Sequence, residues 1–448
     1  MGGEHDRKDD GEDDGLEQEP NSDNRAPIRE AEMKRHNWMP VLFARLGPVL
    51  GMGVMLHAAE VKPVVPPGVQ IVGPYTPALQ VGTLLYVSGQ GALDARGKLA
   101  PTLAEQMRQS LNNVKSVVEA AGLTMEHLVY SQVYVTDPSA YDVFSSLWKE
   151  FFKEGGPALS LLGVAALPVG TPVEINAVAV TDAGLKRAIR RPGGGDAAAP
   201  PDAVIAGDRL FFSSCLGLDP DGRVPADSTT QTRLALDRME AVLRAAGIGP
   251  DHVVFVNPYV TDALDARQMN REYARHFKFG DTPARATIHV MNLPRGAAVS
   301  FTGVAAIDLA SRRSVRPKNM PPSPTASPCV FVADTLYCSA KSAFIPGPNL
   351  GVYAESVENQ VRQTVRNLLD GLEEAGMGLG DVVATNVYLD DIRDFAAMNR
   401  IYASYFKAPF PTRTTVQQRP PVERKQNERE QWPDLEEISL VAVKQQKQ

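Results

Sequence analysis

The sequence predicts an α+β protein made of three tandem ββαβαββ units, arranged as an intramolecular pseudo-trimer. Three observations predict it. A β-hairpin signature recurs as LQVGTLLYVSG (79–89), VIAGDRLFFSS (204–214) and VFVADTLYCSA (330–340). A helical stripe of apolar residues follows each hairpin and stops at Ala-Gly. The chain of 448 residues has the length of about three domains at ~100–200 residues each.

The hairpins come first in each unit. Their turn residues Gly82, Gly207 and Ala333 are spaced by 125 (207 − 82) and 126 (333 − 207) positions. Two apolar strands flank a two-residue turn each time, as a tight hairpin requires. The first helix shows apolar residues at i, i+4, i+7 and i+11, which line one face. They are Met107, Leu111, Val114 and Val118 after Gln106, then Thr232, Leu236, Met239 and Leu243 after Gln231. In the third unit Gln360 precedes Val361, Val365, Leu368 and Leu372. The stops are Ala121-Gly122, Ala246-Gly247 and Ala375-Gly376, where glycine can take the left-handed conformation that closes a helix.

A strand with an acidic end comes next: YSQVYVTD (130–137), FVNPYVTD (255–262) and TNVYLDD (385–391). A second helix carries Trp148, Tyr273 and Tyr402 at matching places, where packing is the expected role. Two strands close each unit, SLLGVAALP with VEINAVAV, RATIHVMNLP with VSFTGVAAI, and RTTVQQRP with EEISLVAV. The units span 66–182, 202–310 and 327–446, joined by linkers near 183–202 and 311–327 that are rich in Pro, Gly, Ala, Ser or basic residues. Units this large are domains and not solenoid repeats. Two helices cover one face of a sheet, and the other face needs burial. Three units in one chain can close a ring in which the bare faces cover one another.

Charge is concentrated at the start. Residues 1–32 hold 12 Asp/Glu against 4 Lys/Arg, a balance of −8 out of a net −7, so the remainder sits near +1 (−7 minus −8). The first 32 residues read as a disordered acidic tail. The near-neutral body lacks the basic face that nucleic-acid binding needs. From Met33 the sequence offers a basic start (Lys34, Arg35), an apolar run over 46–56 and small residues Ala58-Ala59. Residues 33–59 read either as a signal peptide starting at Met33 or as a mildly apolar linker. The first reading implies export to a periplasmic or extracellular space, and the second a cytoplasmic protein. The run is too short for a membrane span of ~20 residues. Three cysteines, Cys215, Cys329 and Cys338, make no disulfide scaffold, and no Cys/His cluster has zinc spacing. Cys329 and Cys338 face each other if Ala333-Asp334 is a two-residue turn. A cross-strand disulfide is then conceivable, and two free, half-buried thiols are the expectation adopted.

Taken together, GPYTPALQVGTLLYVSGQ (73–90), MNREYARHF (269–277), TPARATIHVMNLP (282–294) and FPTRTTV (410–416) resemble the RidA/YjgF (L-PSP) family from about Pro66 to Lys444. The resemblance implies a chorismate-mutase-like fold, clefts between subunits as ligand sites, and cofactor-free hydrolysis of enamine or imine intermediates to 2-keto acids and ammonia. It also implies a small imino or keto acid as the partner. An arginine in a Pro-x-Arg motif would hold the substrate carboxylate through paired hydrogen bonds. The matching positions are Leu159, Arg285 and Arg413. A glutamate on the last strand would position the attacking water, and the matches are Glu174, Ser300 and Glu437. Tyr75 matches a family tyrosine in the first unit only. Asn270 and Asn399 match an asparagine replaced by Ser145 in the first unit.

Only the third unit keeps both Arg and Glu, so Arg413 and Glu437 are the expected catalytic pair. Arg285, Asn270, Asn399, Tyr75 and Glu174 are secondary substrate contacts. Glu174 also reads as a leftover with a structural hydrogen bond, and Arg285 and Arg413 as surface ion-pair partners. Arg285 can also work with a glutamate of another unit. The charged stretch 422–436 reads either as a solvated loop or as a lid. Two function classes follow: an imine deaminase with one competent pocket, or a non-catalytic binding or regulatory module with decayed sites. The chain is expected to be a monomeric pseudo-trimer, with a higher oligomer possible.

Overall fold

A computed structural model describes residues 60–445, except 70, 153–155, 194–197, 319 and 347–349. The expected acidic tail (1–32) and leader (33–59) lie outside the described residues. Each unit carries one strand more than the sequence pattern shows. In the first, β1 (Val61–Val64), β2 (Ala78–Val81) and β3 (Leu84–Gly91) precede α1 (Leu103–Ala120). Then follow β4 (Leu128–Val135), α2 (Ala140–Phe151), β5 (Ala158–Gly163) and β6 (Val173–Val180).

The second unit opens with β7 (Lys186–Ile189), β8 (Ala203–Ala206), β9 (Arg209–Leu216) and α3 (Ser228–Ala245). It continues with β10 (Val253–Val260), α4 (Ala266–Tyr273), the broken pair β11 (Ala284–Arg285) and β12 (Ile288–His289), and β13 (Val299–Ala306). The third contains β14 (Arg313–Val315), β15 (Cys329–Val332), β16 (Thr335–Lys341) and α5 (Val357–Glu374). It ends with β17 (Val382–Leu389), α6 (Phe395–Tyr405), β18 (Thr412–Gln417) and β19 (Glu436–Val443).

Strand order repeats faithfully: β1-β2-β3-β6-β4-β5, its equivalent in the second unit with β11 and β12 both on β10, and β14-β15-β16-β19-β17-β18. The extra strands β7 and β14 fall inside the stretches expected as linkers, pairing Lys186 with Ala206 and Val315 with Cys329. They are short edge strands with charged exposed residues, so no alternation betrays them. Two sequence devices set the helix ends. Thr102 and Glu105 form a capping box on α1, and Asp227 and Ser356 cap α3 and α5. Gly122, Gly247 and Gly376 close the same helices at φ of 76°, 83° and 71° with open space around a Cβ. Glycine is used there for its backbone conformation and not for room.

The helix-facing side of each sheet has its own core, and the opposite faces share one. That shared cluster contains the buried tyrosines Tyr134, Tyr259 and Tyr388, one per unit. The units are joined by the same hydrogen bond three times. A serine hydroxyl on the hairpin of one unit accepts the backbone N–H at the start of the preceding unit's penultimate strand: Leu159 N to Ser213 Oγ at 2.9 Å, Arg285 N to Ser339 Oγ at 2.8 Å, and Arg413 N to Ser88 Oγ at 2.9 Å. The third joint links residues 325 apart and closes the ring.

Cys329 and Cys338 do oppose each other across β15 and β16, and they form a disulfide instead of the expected free thiols. Both are buried, on the helix-facing side, under Gly371 of α5. A Cβ at Gly371 would lie 2.7 Å from the Cys329 sulfur, so the bridge occupies room that only glycine leaves.

Candidate functional site

Of the seven singled-out residues, four converge on the joint between the third and first units. Pro-x-Arg sets Arg413 on β18, and the serine joint lays β18 beside β3. Arg413 is 4% exposed and makes no ion pair among the described residues. Its guanidinium carbon lies 5.1 Å from the Tyr402 ring, 5.5 Å from Phe395 and 5.7 Å from Tyr75, within cation–π range of all three. Burial pulls its pKa below the usual value, opposed by the phenols of Tyr402 and Tyr75 and the Glu174 carboxyl. Asn399 stands beside it, its Oδ1 buried without a hydrogen-bond partner.

Glu174 of β6 lies across the cleft. Burial pushes its carboxyl up to about 8, opposed by the backbone N–H of Thr415 and the charge of Arg413. Two glycines make the arrangement possible. A Cβ at Gly89 would sit 1.9 Å from Glu174 Oε1, and one at Gly73 would sit 2.8 Å from Arg413 Nη2. Tyr75, half-buried and with a pKa raised chiefly by that burial, interacts with both Glu174 and Arg413, and its hydroxyl accepts from Val72 N at 3.5 Å. Tyr75, Gly89, Glu174, Phe395, Arg413 and Thr415 line a cleft of about 210 Å³. Clefts for drug-sized ligands occupy ~300–1,000 Å³, so this one suits a small metabolite.

The expected pairing of Arg413 with Glu437 does not occur. Arg413 pairs with Thr385 in β17, whereas Glu437 pairs with Tyr388. The two are therefore three residues apart along the sheet and two strands apart across it, roughly 10 Å in each direction at ~3.3 Å per residue and ~4.8 Å per strand. The serine joints explain the mismatch. The third joint sets Glu174 of the first unit, not Glu437 of the third, within the field of Arg413, whereas the charge acting on Glu437 is that of Asp434 and the one acting on Arg285 is the Tyr273 phenol. At the second-third joint Arg285 donates from Nη2 to Asn270 Oδ1 at 2.8 Å and lies 5.0 Å from the Tyr273 ring. The first-second joint has neither charge.

Tyr273 and Tyr402 pack as expected, against Phe277 and Phe406, and each also floors an arginine. Trp148 packs between Phe144 and Phe152. The sequence reading missed Gly73, Gly89 and Phe395 as site residues. The glycines stood inside quoted motifs, but only the fold shows which side chains use their space. In the stretch 422–436, residues 422–430 are mostly exposed, while Trp432 N bonds Val352 O at 2.8 Å and Gln360 Nε2 bonds Pro433 O at 2.9 Å. Among the described residues no helix is long and apolar enough to cross a membrane, and no His/Cys/Asp/Glu cluster is arranged to hold a metal.

Comparison with known proteins agrees with the threefold repeat. The family model described as Endoribonuclease L-PSP matches residues 68–181, 197–307 and 320–420. A 2-iminobutanoate/2-iminopropanoate deaminase of Dermatophagoides farinae is 35% identical over 115 residues, 25% of this chain and 90% of that protein. The protein of the same name from Bos taurus is 37% identical over 24% of this chain and 81% of its own length. Among solved structures, the YjgF gene product of E. coli is 33% identical, covering 27% of this chain and 99% of its own at a TM-score of 0.26. A putative endoribonuclease L-PSP from Entamoeba histolytica is 32% identical, covering 27% and 99% at the same TM-score.

Proposed function

The chain belongs to the Endoribonuclease L-PSP family, and on that premise we propose that it hydrolyses small 2-imino acids to 2-keto acids and ammonia at the cleft between its third and first units. One observation carries the reading: Arg413, in no ion pair among the described residues, and Glu174 meet in one cleft although 239 positions (413 − 174) separate them. The names of the relatives support the reaction class. In the proposed reaction the substrate carboxylate takes paired hydrogen bonds from the Arg413 fork. A water between Glu174 and the imine carbon is deprotonated by the Glu174 carboxylate as its oxygen bonds to that carbon. The C=N π electrons move to nitrogen, which takes that proton from Glu174 to give a carbinolamine. Glu174 then takes the carbinolamine hydroxyl proton and passes it to the amine. The C–N bond breaks with its electrons on nitrogen, ammonia leaves, and the oxygen's electrons form the carbonyl. A carboxyl held near 8 can take and return that proton close to neutral pH.

The test generates the imine in place with an amino-acid oxidase and follows keto-acid release by the full chain. Glu174→Gln should cost ~10²–10⁴-fold in kcat, and Arg413→Gln should chiefly raise KM. Because the base form of Glu174 is the ionised one, kcat/KM should rise with pH through about 8 and level above it. Release no faster than in buffer, or a Glu174→Gln chain as fast as the parent, overturns the reading.

A further inference from the structure

A second cavity, of about 100 Å³, lies where the three units meet, among the sheet faces that turn away from the helices. Equivalent positions line it. Tyr130, Phe255 and Ala384 each stand two residues into β4, β10 and β17. Tyr86, Phe211 and Tyr337 each follow their hairpin turn residue by four positions. At two joints these positions form an aromatic pair. Tyr130 stacks on Phe211 with ring centroids 5.7 Å apart, and Phe255 lies 6.3 Å from Tyr337, both within the favoured ~4.5–7 Å. At the third joint Ala384 stands in place of the ring. It shares a small apolar cluster with Tyr86, Val178 and Val441, and Tyr86 has no ring partner among the described residues.

The missing ring also opens what lies beneath it. Ala384 and Asn386 are half-buried, whereas their equivalents Tyr130, Phe255, Gln132 and Asn257 are buried. The Gln132 amide donates to the Tyr259 hydroxyl and accepts from Asn176 Nδ2 at 3.1 Å. Asn176 Nδ2 also donates to Thr414 Oγ1 at 2.9 Å, and Asn257 Nδ2 donates to Ala286 O at 3.2 Å. The Asn386 side chain has no hydrogen-bond partner among the described residues. The third joint thus offers an aromatic face at Tyr86, apolar sides at Val178 and Val441, and an idle amide at Asn386. An apolar cavity with a few convergent polar groups is the general form of a small-molecule site. A dry cavity of ~150 Å³ takes up benzene, so this one has room for one six-membered ring and not for a fused pair. Among its lining residues Arg413 alone is charged, and that guanidinium is engaged by Tyr75, Phe395 and Tyr402 on the other side of β18. A neutral ligand suits such a lining.

We infer that this cavity binds a neutral monocyclic aromatic carrying one hydrogen-bonding group, with its ring against Tyr86 in the place left by Ala384 and its polar group on Asn386. A phenol is the simplest such molecule, and a primary amide can both donate to its oxygen and accept from its hydroxyl. Strand β18 separates the cavity from the proposed active cleft, since Thr414 lines the one, Thr415 the other and Arg413 both. The inference does not depend on turnover at that cleft.

The test is calorimetric titration of the full chain with phenol, toluene and cyclohexanol. Phenol should bind saturably. Toluene, which lacks the hydroxyl, should bind roughly fivefold more weakly, the equivalent of one hydrogen bond, and cyclohexanol, which lacks the ring face, weaker still than phenol. Ala384→Phe supplies the ring that Phe255 supplies at the equivalent position, and should abolish phenol binding. Asn386→Leu should erase the advantage of phenol over toluene, and it decides the matter if Ala384→Phe fails to fold. No saturable phenol binding, phenol binding undiminished in folded Ala384→Phe, cyclohexanol binding as tightly as phenol, or the advantage of phenol retained in Asn386→Leu overturns the inference. Keto-acid release, measured separately, reports only on the first cleft.

Discussion

At the residue scale, the site depends on absent atoms as much as on present ones. The Glu174 carboxyl fills the space of a side chain at Gly89. Gly89→Ala would place a carbon 1.9 Å from Glu174 Oε1 and force the carboxyl elsewhere. We expect at least a tenfold fall in kcat with the melting temperature little changed, read by keto-acid release and calorimetry side by side. Activity unchanged by Gly89→Ala would contradict the placement of Glu174 at the reacting atoms. Glu174 was legible in the sequence as a matching residue but not as the partner of Arg413. A residue's alignment within its own unit says nothing about which neighbour it faces.

At the element scale, the hairpins show how far local rules reach. Turn residues Gly82, Gly207 and Ala333 all take positive φ, at 57°, 60° and 53°. Alanine in the left-handed region costs ~1 kcal/mol or more relative to glycine. Ala333→Gly should therefore raise unfolding stability by up to ~1 kcal/mol, less the greater freedom glycine adds to the unfolded chain. Denaturant titration of the disulfide-intact protein checks this, and a clear loss of stability would contradict it. The helices, central strands and turns were readable because burial on one side imposes a period of 3.6 or 2. Strands β1, β7 and β14 were not, because an edge strand pairs through its backbone and imposes no such period. The register of β15 on β16 was readable too, but the room the bridge occupies beneath Gly371, on a helix over thirty residues later, was not.

At the scale of the whole molecule, one joint used three times has diverged into three interfaces. The serine at each joint accepts one backbone N–H and donates to one carbonyl, so Ser→Ala at any of them should cost ~1 kcal/mol. The consequences for turnover should differ. Ser88→Ala loosens the joint that carries Arg413 and should lower keto-acid release, whereas Ser213→Ala loosens the joint with neither charge and should leave it intact. Equal loss of rate in both variants would show that the cleft between the third and first units is not where the reaction occurs.

The three units, their helices and hairpins, and the arginines in their Pro-x-Arg setting are legible from the order of residues alone. Those features are set by periodicity and by short motifs that act within one unit. That Glu174 meets Arg413 is a matter of tertiary contact, because the pairing runs across a joint and the placement of β18 beside β3 is fixed by contacts between segments 325 residues apart. Closing the ring turned Glu174 from a leftover into the partner of Arg413 and left Glu437 apart from it, through packing that no single unit contains.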